Sequence, residues 1–276
     1  MSGNLYVVAT PIGNLDDMTL RAREVLAAVD IIAAEDTRHT GRLLMSSGAK
    51  KRLLALHDHN EEEMVQKLMT ALQDGRSVAL VSDAGTPLVS DPGYRLLQAA
   101  HAGGINVSPV PGPSAVTAAL SVAGLPTDRF CFEGFLSARA AARRKQLEGL
   151  ATEMRTLVFF ESVHRIADTL KAMCEIFGEQ RMAFIGRELT KMHEQCVLEP
   201  FTSLVKRIGD GSIPTKGEFV IIVAGASSKV TTSLDVDRLL LELVRHRSAR
   251  DAARAAADIT GEKKNLLYQR LLDLRK

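Results

Sequence analysis

The strongest constraint on this chain is a repeated unit: a short apolar run, then a Gly/Pro-rich loop, then a helical stretch. Its most developed copy runs from Ser77 to Gly93, SVALVSDAGTPLVSDPG. Val78 to Val81, with turn chemistry on both sides, reads as a buried strand. Beyond it Ser82, Asp83, Gly85, Thr86, Pro87, Ser90, Asp91, Pro92 and Gly93 fall within twelve residues, more punctuation than one plain turn needs. Open α/β sheets place their ligand crevice outside the carboxyl ends of the strands, so this loop is a site candidate by position. Ile105 to Leu120, INVSPVPGPSAVTAAL, repeats the pattern. There Pro113 suits a first helical turn, and Ser114 follows with a hydroxyl among free N–H groups, where a carboxylate or phosphate can dock. Neither loop holds GxGxxG or GxxxxGK(S/T), and no Lys or Arg lies between Ser77 and Tyr94. That disfavours a triphosphate or dinucleotide and favours a nearly neutral ligand with one anionic end. Two connections that merely turn corners are the bland alternative.

Taken in order, strands are expected at Leu5 to Ala9, Ile31 to Ala34, Leu53 to Leu56, Val78 to Val81 and before Pro111. Helices alternate with them at Thr19 to Val29, Glu61 to Gln73 and Pro92 to Ala102. The order βαβαβαβαβα makes a mainly parallel sheet with helices on both faces the economical architecture, its polar loops gathered on one rim. Past Gly124-Leu125-Pro126 the strands become denser: Phe130 to Phe135, Thr156 to Phe160, Met182 to Ile185, Gln195 to Leu198 and Phe219 to Val223. Helices are expected at Ser137 to Leu150, up to Phe177, and at Phe201 to Ile208. This reads as an α+β domain with a mixed sheet. After a polar linker, Ser227 to Ser233, three short helices follow at Leu234 to Arg247, Ala249 to Ile259 and Lys264 to Leu274. The expected organisation is therefore an α/β domain over 1–122, a second α/β domain over 123–226 and a helical region over 234–276.

The 276 residues suffice for two packed domains and a small appendage. Cys131, Cys174 and Cys196 are odd in number and far apart without CxxC spacing, which suggests a reducing compartment and no cysteine-based metal site. No apolar run approaches eighteen residues, and Met1 to Gly13 has no signal-peptide pattern, so a cytoplasmic location without a membrane span is expected. The net charge of +2 hides an asymmetry: the balance is −3 over 1–120, +1 over 121–225 and +4 over 226–276. That gradient permits a polyanionic partner.

Chemistry-bearing residues gather at strand ends. Glu35, Asp36, Arg38 and His39 follow the second strand; His57, Asp58, His59 and Asn60 follow the third. The two histidines suggest a metal, but neighbours on an extended segment point opposite ways and no HxxxH or distant Cys completes a set, so no metal is expected. A Ser–His–Asp hydrolase lacks a GxSxG elbow. In the last two helices Ala253, Ala256 and Ala257 precede Thr260-Gly261, and Lys263, Lys264, Asn265 and Tyr268 follow. This is helix-turn-helix spacing with a basic second helix; a helical hairpin that only caps the domain is the alternative.

Seven stretches in one order resemble the ribosomal RNA small subunit methyltransferase I branch of the tetrapyrrole methylase superfamily. They are VATPIGNLDD, AAEDTRHTG, LHDHNE, VSDAGTPLVSDPG, VPGPSAVTAAL, FFESVHR and RELTK. The resemblance spans the chain, C-terminal helices included. It implies two α/β domains with S-adenosylmethionine in the cleft between them, a homodimer, and methylation of a cytidine ribose 2′-hydroxyl in small-subunit rRNA. By the same resemblance Pro11, Asp83, Gly85, Thr86, Ser114, Ala115, Phe160, Leu189, Gly217 and Glu218 contact the cofactor. Of the superfamily's usual Gly-Asp-Pro loop only Asp83 is kept. The residues agree on physical grounds: S-adenosylmethionine has one carboxylate, one ammonium and no phosphate, and calls for backbone donors, an acid and apolar walls.

Such an enzyme must bring a weak nucleophile into line with an activated methyl. Glu35, Asp36 and His57 are the expected catalytic residues. Arg38, Asn60, Arg187 and Lys191, with Lys263 and Lys264, are expected to hold small-subunit rRNA, free or in the assembled 30S subunit. A surface ion-pair cluster at a helix start is the alternative for Glu35, Asp36 and Arg38. Two other activities fit less well. For a methyltransferase of a tetrapyrrole-like small molecule, 4% aromatics and no Trp offer little for stacking a macrocycle, and a non-catalytic RNA-binding module would leave the cleft without a task.

Overall fold

The computed structural model describes residues 2–45, 51–57, 60–226 and 236–274. They form two compact units, residues 1–225 and 226–276. The linker expected over 227–233 lies outside the described residues.

The first half of the larger unit runs β1 (Asn4–Val8), a 3-10 turn (Leu15–Asp17), α1 (Leu20–Ala28), β2 (Ile31–Ala34), α2 (Thr37–Met45), β3 (Arg52–Ala55), α3 (Glu61–Gln73), β4 (Val78–Val81), α4 (Tyr94–Ala102), β5 (Asn106–Val110) and α5 (Ala115–Val122). The sheet order is β3-β2-β4-β1-β5, every pair parallel. Strands β2 and β4, IIAA and VALV, are buried at every position. Alternation assigns their side chains to two cores. Val78 and Leu80 pack with Met64, Leu68 and Leu96 of α3 and α4, while Ala79 and Val81 pack with Ala22, Leu26 and Leu44 of α1 and α2. Helix α1 starts where its cap allows, the Thr19 hydroxyl accepting from the Ala22 N–H at 3.1 Å.

The second half runs β6 (Phe130–Phe135), α6 (Ala140–Leu150), β7 (Thr156–Glu161), α7 (Ile166–Phe177), β8 (Met182–Arg187), β9 (Gln195–Pro200), α8 (Phe201–Gly209) and β10 (Phe219–Val223). Its sheet order is β6-β7-β10-β8-β9; β6 and β7 are parallel and the remaining pairs antiparallel. One face is covered by α6, α7 and α8 around Phe159, Leu170 and Phe201. The other face receives α5. Val116, Ala119 and Leu120 pack on Val158, Phe184, Val220 and Ile222, with Ile12 from the loop after β1 in the same cluster. The two α/β domains thus share one core, which fixes the carboxyl rim of the first sheet against the second.

The smaller unit is α9 (Val236–Val244), α10 (Ala249–Thr260) and α11 (Lys264–Asp273) around Leu240, Ala252, Ala253, Ala256, Leu267 and Leu271. Alanines let α10 approach its neighbours closely. Gly261 ends α10 at φ +73°, the left-handed stop that glycine favours, and Arg270 of α11 pairs with Asp237 of α9 at 2.6 Å.

Three expectations are corrected. Pro113 is not in the first turn of α5: Ser114 is the N-cap, extended at φ −147° and ψ 126°, with no capping bond from its side chain. Helix α6 starts at Ala140 rather than Ser137, because Arg139 is extended at φ −76° and ψ 121°; the Ser137 N–H before it donates to the Gln146 side chain at 2.9 Å. Strands β7 and β8 run on to Glu161 and Arg187, since both lie opposite Phe219 of β10 in register.

Gly93 precedes α4 at φ +119°, and a Cβ there would meet Leu80 Cδ2 at 2.9 Å. Gly93→Ala should therefore cost about 2 kcal/mol of stability, read as a lower denaturant midpoint at unchanged slope.

Candidate active site

The loop after β4 is a hub. Gly85 forms a two-way backbone bridge with Thr10 of the loop after β1, at 2.9 and 3.0 Å. The Thr10 hydroxyl donates to the Ser82 carbonyl at 3.3 Å. The Thr86 hydroxyl donates to the Pro113 carbonyl at 3.1 Å, tying in the loop after β5. Asp83 Oδ1 accepts the Asp36 N–H at 3.0 Å and ties in the loop after β2. Gly85 adopts φ +82°, and the Cβ it lacks would sit 3.3 Å from Ile12 Cγ2. Leu88 and Ser90 hold φ of 74° and 72°, strain of about 1–3 kcal/mol each that the surrounding bonds must sustain.

The facing lip is built from Arg187 to Lys191 and the turn before β10. Glu188 and Thr190 also adopt positive φ, 52° and 66°. The Glu188 carboxylate accepts from the Glu218 N–H and from Lys191 Nζ, each at 2.9 Å. Burial alone would raise its pKa, but these donors and the nearby Arg187 charge bring it below the ordinary carboxylate value. Gly217, at φ +87°, has no room for a Cβ because the Glu188 side chain occupies that space. Gly13 is constrained in the same way by Lys191, so the loop after β1 meets this lip directly.

Two residues expected to hold RNA are occupied here. Arg187 is buried, its Nε donating to the Lys216 carbonyl at 2.6 Å and its Nη1 to the His193 carbonyl at 3.0 Å. Lys191 is paired with Glu188 at 2.9 Å and Glu218 at 3.0 Å. Both build the lip rather than present charge to a polyanion.

Between the lips is a cavity of about 470 Å³. Of the residues expected at a cofactor, Asp83, Gly85, Thr86, Ser114, Ala115, Phe160, Leu189, Gly217 and Glu218 line it; Pro11 does not, and its neighbour Ile12 takes that place. Glu35, one residue past β2, lines it too. No Lys or Arg is among the lining residues. The sequence reading missed Asp91, Ser90, Phe135, Glu161 and Ser162, which also line it. Asp91 and Ser90 stood in the central loop and were legible as polar loop residues. Phe135 carried no signal, because its position depends on the bulge between Phe132 and Gly134. It stands edge-on to Phe160 at 5.6 Å, with 53% of its surface exposed. The Glu161 carboxylate is buried and fully engaged by Arg165 at 2.8 Å, the Thr169 hydroxyl at 2.6 Å and the Ser162 N–H at 2.7 Å.

Asp91 is different. Its Oδ2 is buried without a hydrogen-bond partner. Burial pushes its pKa up, a hydrogen bond from Ser82 opposes the rise, and the charge of Asp83 adds to it. An acceptor left bare in a cavity wall is a position for a ligand's donor.

Asp36, expected to be catalytic, instead clamps Arg38. Its carboxylate accepts from the Arg38 N–H, Nε and Nη2 at 2.8, 3.2 and 2.8 Å, and these bonds hold its pKa far below the ordinary carboxylate range. Such a group is a poor proton acceptor. Arg38 itself remains 84% exposed. His57 is exposed at the end of β3, beside β2 whose end carries Glu35, and does not line the cavity. Asn60 closes the same turn, its side chain donating to the Ala55 carbonyl and accepting the His57 N–H, both at 2.9 Å. Asp58 and His59 lie outside the described residues. Among the described residues no group of three His, Cys, Asp or Glu side chains is arranged to hold a metal. Lys263 and Lys264 are exposed at the start of α11.

The fold is that of a methylase. Residues 4–205 match the family model of the Tetrapyrrole (Corrin/Porphyrin) Methylases, and residues 230–275 match that of the RsmI C-terminal HTH domain. The crystal structure of uroporphyrin-III C-methyltransferase from Thermus thermophilus complexed with S-adenyl homocysteine superposes with a TM-score of 0.55. It is 18% identical, over 80% of this chain and 97% of that one. Ribosomal RNA small subunit methyltransferase I of Xylella fastidiosa strain Temecula1 is 50% identical over 96% of this chain and 98% of its own length. The protein of the same name from Escherichia coli O157:H7 is 49% identical over 98% and 95%. Within the tetrapyrrole methylases, this chain belongs to the ribosomal RNA small subunit methyltransferase I family.

For Asp91 the sign of the linkage is definite. A raised folded pKa means stability present at low pH and lost as pH rises through that pKa. Asp91→Asn removes the penalty, so the ligand-free variant should melt above the wild type at pH 7. The gap should close as the pH falls below the ordinary carboxylate range, where the wild-type carboxyl is protonated.

Proposed function

We propose that this protein transfers a methyl group from S-adenosylmethionine to the ribose 2′-hydroxyl of a cytidine in small-subunit ribosomal RNA. The observation that carries the reading is the donor set of the cavity: a bare buried carboxylate oxygen on Asp91, an apolar wall and no cation. These fit a ligand with an ammonium, an adenine and no phosphate. When bound, that cofactor supplies a methyl group on a sulfonium, already activated for transfer.

The chain's own residues then have distinct tasks. Asp91 accepts from a donor of the cofactor. Phe135, Phe160 and Leu189 form the apolar wall. Gly85 and Thr86 hold the central loop, and Ser114 and Ala115 open α5, whose first N–H groups can take a carboxylate. Glu35 is the carboxylate placed to accept the proton of the hydroxyl as it is methylated, with His57 at the neighbouring strand end. Asp36 positions Arg38, which stands exposed on the rim to meet a phosphate. Lys263 and Lys264 present the start of α11 to the RNA backbone. The same reading makes the protein a cytoplasmic homodimer, a state that sedimentation velocity of the full chain reports directly.

The test is transfer of label from S-adenosylmethionine to purified small ribosomal subunits and to naked small-subunit rRNA, followed by digestion to nucleosides. Label in 2′-O-methylcytidine is expected, and the better substrate identifies the state acted upon. Cofactor binding without label in either RNA would overturn the reading. Glu35→Gln should lower turnover by roughly 10²–10⁴-fold, the usual weight of a general base, with cofactor affinity unchanged in equilibrium dialysis. Removal of residues 227–276 should weaken RNA binding and flatten its dependence on salt, because fewer phosphate contacts release fewer counterions.

A further inference from the structure

A second recess, of about 440 Å³, adjoins the cavity and shares Ile12 and Ser114 with it. One wall is the hydroxyl-bearing face of α5, with Thr117 and Ser121; another is Asp17, from the 3-10 turn after β1; a third is Thr190 of the facing lip. Asp17 Oδ2 and Thr190 Oγ1 are both buried with no hydrogen-bond partner. Two polar atoms in one recess with no protein partner are positions where a ligand's donor, or water in its place, is held.

Each is held in place from behind. The Asp17 N–H donates to the Asn14 carbonyl at 3.1 Å, and the Thr190 N–H donates to the Glu194 carboxylate at 2.6 Å with the backbone at φ +66°. No Lys, Arg or His lines the recess, so a phosphate finds no counter-charge there. A carboxylate among hydroxyls suits an uncharged ligand that presents N–H groups.

We propose that this recess receives the base of the acceptor nucleoside and that Asp17 selects a base bearing an exocyclic amine. The inference rests on the reading of the protein as an RNA cytidine methyltransferase. The N4 amine of cytosine donates to a carboxylate, whereas uracil places a carbonyl oxygen at that position, where it and Asp17 would face each other as two acceptors. The Thr190 hydroxyl, able to donate or accept, completes the base edge. A base lodged here leaves its ribose at the border marked by Ile12 and Ser114, beside the cavity lined by Glu35, as transfer to the 2′-hydroxyl requires.

The test compares the full-length wild type with Asp17→Asn on small subunits or rRNA in which the methylated position is cytidine or uridine. Asp17→Asn preserves shape, and its amide can donate to uracil O4. The expected result is a loss of roughly tenfold or more in kcat/KM on cytidine, unchanged cofactor affinity, and a cytidine-to-uridine ratio that falls toward one. Thr190→Val should lower kcat/KM on cytidine without changing cofactor affinity. An Asp17→Asn enzyme with the wild-type ratio overturns the inference. If its sedimentation also changes, the carboxylate serves an interface between copies instead. A wild type that labels neither RNA overturns the functional reading and this inference together; a wild type that labels cytidine beside an equally selective Asp17→Asn variant overturns this inference alone.

Discussion

At the carboxyl ends of the first sheet the backbone runs out of strand partners, and its polar groups have to be satisfied by whatever loop is nearest. The loop after β4 meets that demand for its neighbours on both sides. Gly85 pairs with Thr10, Thr86 reaches the Pro113 carbonyl, and Asp83 holds the Asp36 N–H. Because β4 is the central strand of β3-β2-β4-β1-β5, one segment can reach the loops of β2, β1 and β5. The positions of Glu35, Ile12 and Ser114 therefore depend on a single stretch of chain. Its positive-φ residues are tolerated because so many bonds hold it.

The second constraint is apolar. Helix α5 sits against the second sheet through Val116, Ala119 and Leu120, and its first residues, Ser114 and Ala115, line the cavity. Burial of that helix sets the spacing of the two lips. The facing lip then organises itself through charge. Glu188 gathers the Glu218 N–H and Lys191, Arg187 is anchored on two carbonyls, and Gly217 leaves the space that Glu188 fills. Positive charge in this lip is neutralised or internal, which explains why the cavity has an acidic and apolar lining although the chain carries a net positive charge.

Much of the fold was legible because its signals are local. Buried four-residue runs bounded by turns gave β2 and β4, and the Thr19 cap gave the start of α1. Helix α6 began three residues later than its composition suggested, because Arg139 stays extended as its N-cap, while Gln146 of the helix reaches back to the Ser137 N–H. For the site, strand-end position and the family resemblance found Glu35 and most of the cavity lining. What they missed was tertiary: Phe135 reaches the cavity through a bulge, and Glu161 arrives by a register that extends β7. The cations have partners that the sequence did not announce. In sequence Arg187 and Lys191 look like phosphate ligands, but Arg187 donates to the His193 and Lys216 carbonyls, and Lys191 pairs with Glu188 three residues before it and with Glu218. Asp36 resembled a catalytic acid until Arg38, two residues on, proved to occupy its lone pairs.

The residues with positive φ on both lips, Leu88 and Ser90 on one and Glu188 and Thr190 on the other, bear on the protein's opening equilibria. Positive φ on both lips and the bare Asp91 and Thr190 oxygens weigh against the arrangement that the surrounding bonds hold, while β2 and β4 beneath them are buried throughout. Local opening there, rather than global unfolding, would govern amide hydrogen exchange in the ligand-free protein. A bound small molecule that pins both lips would slow exchange in two segments about a hundred residues apart in sequence, and it would do so cooperatively, since each lip borders the same cavity.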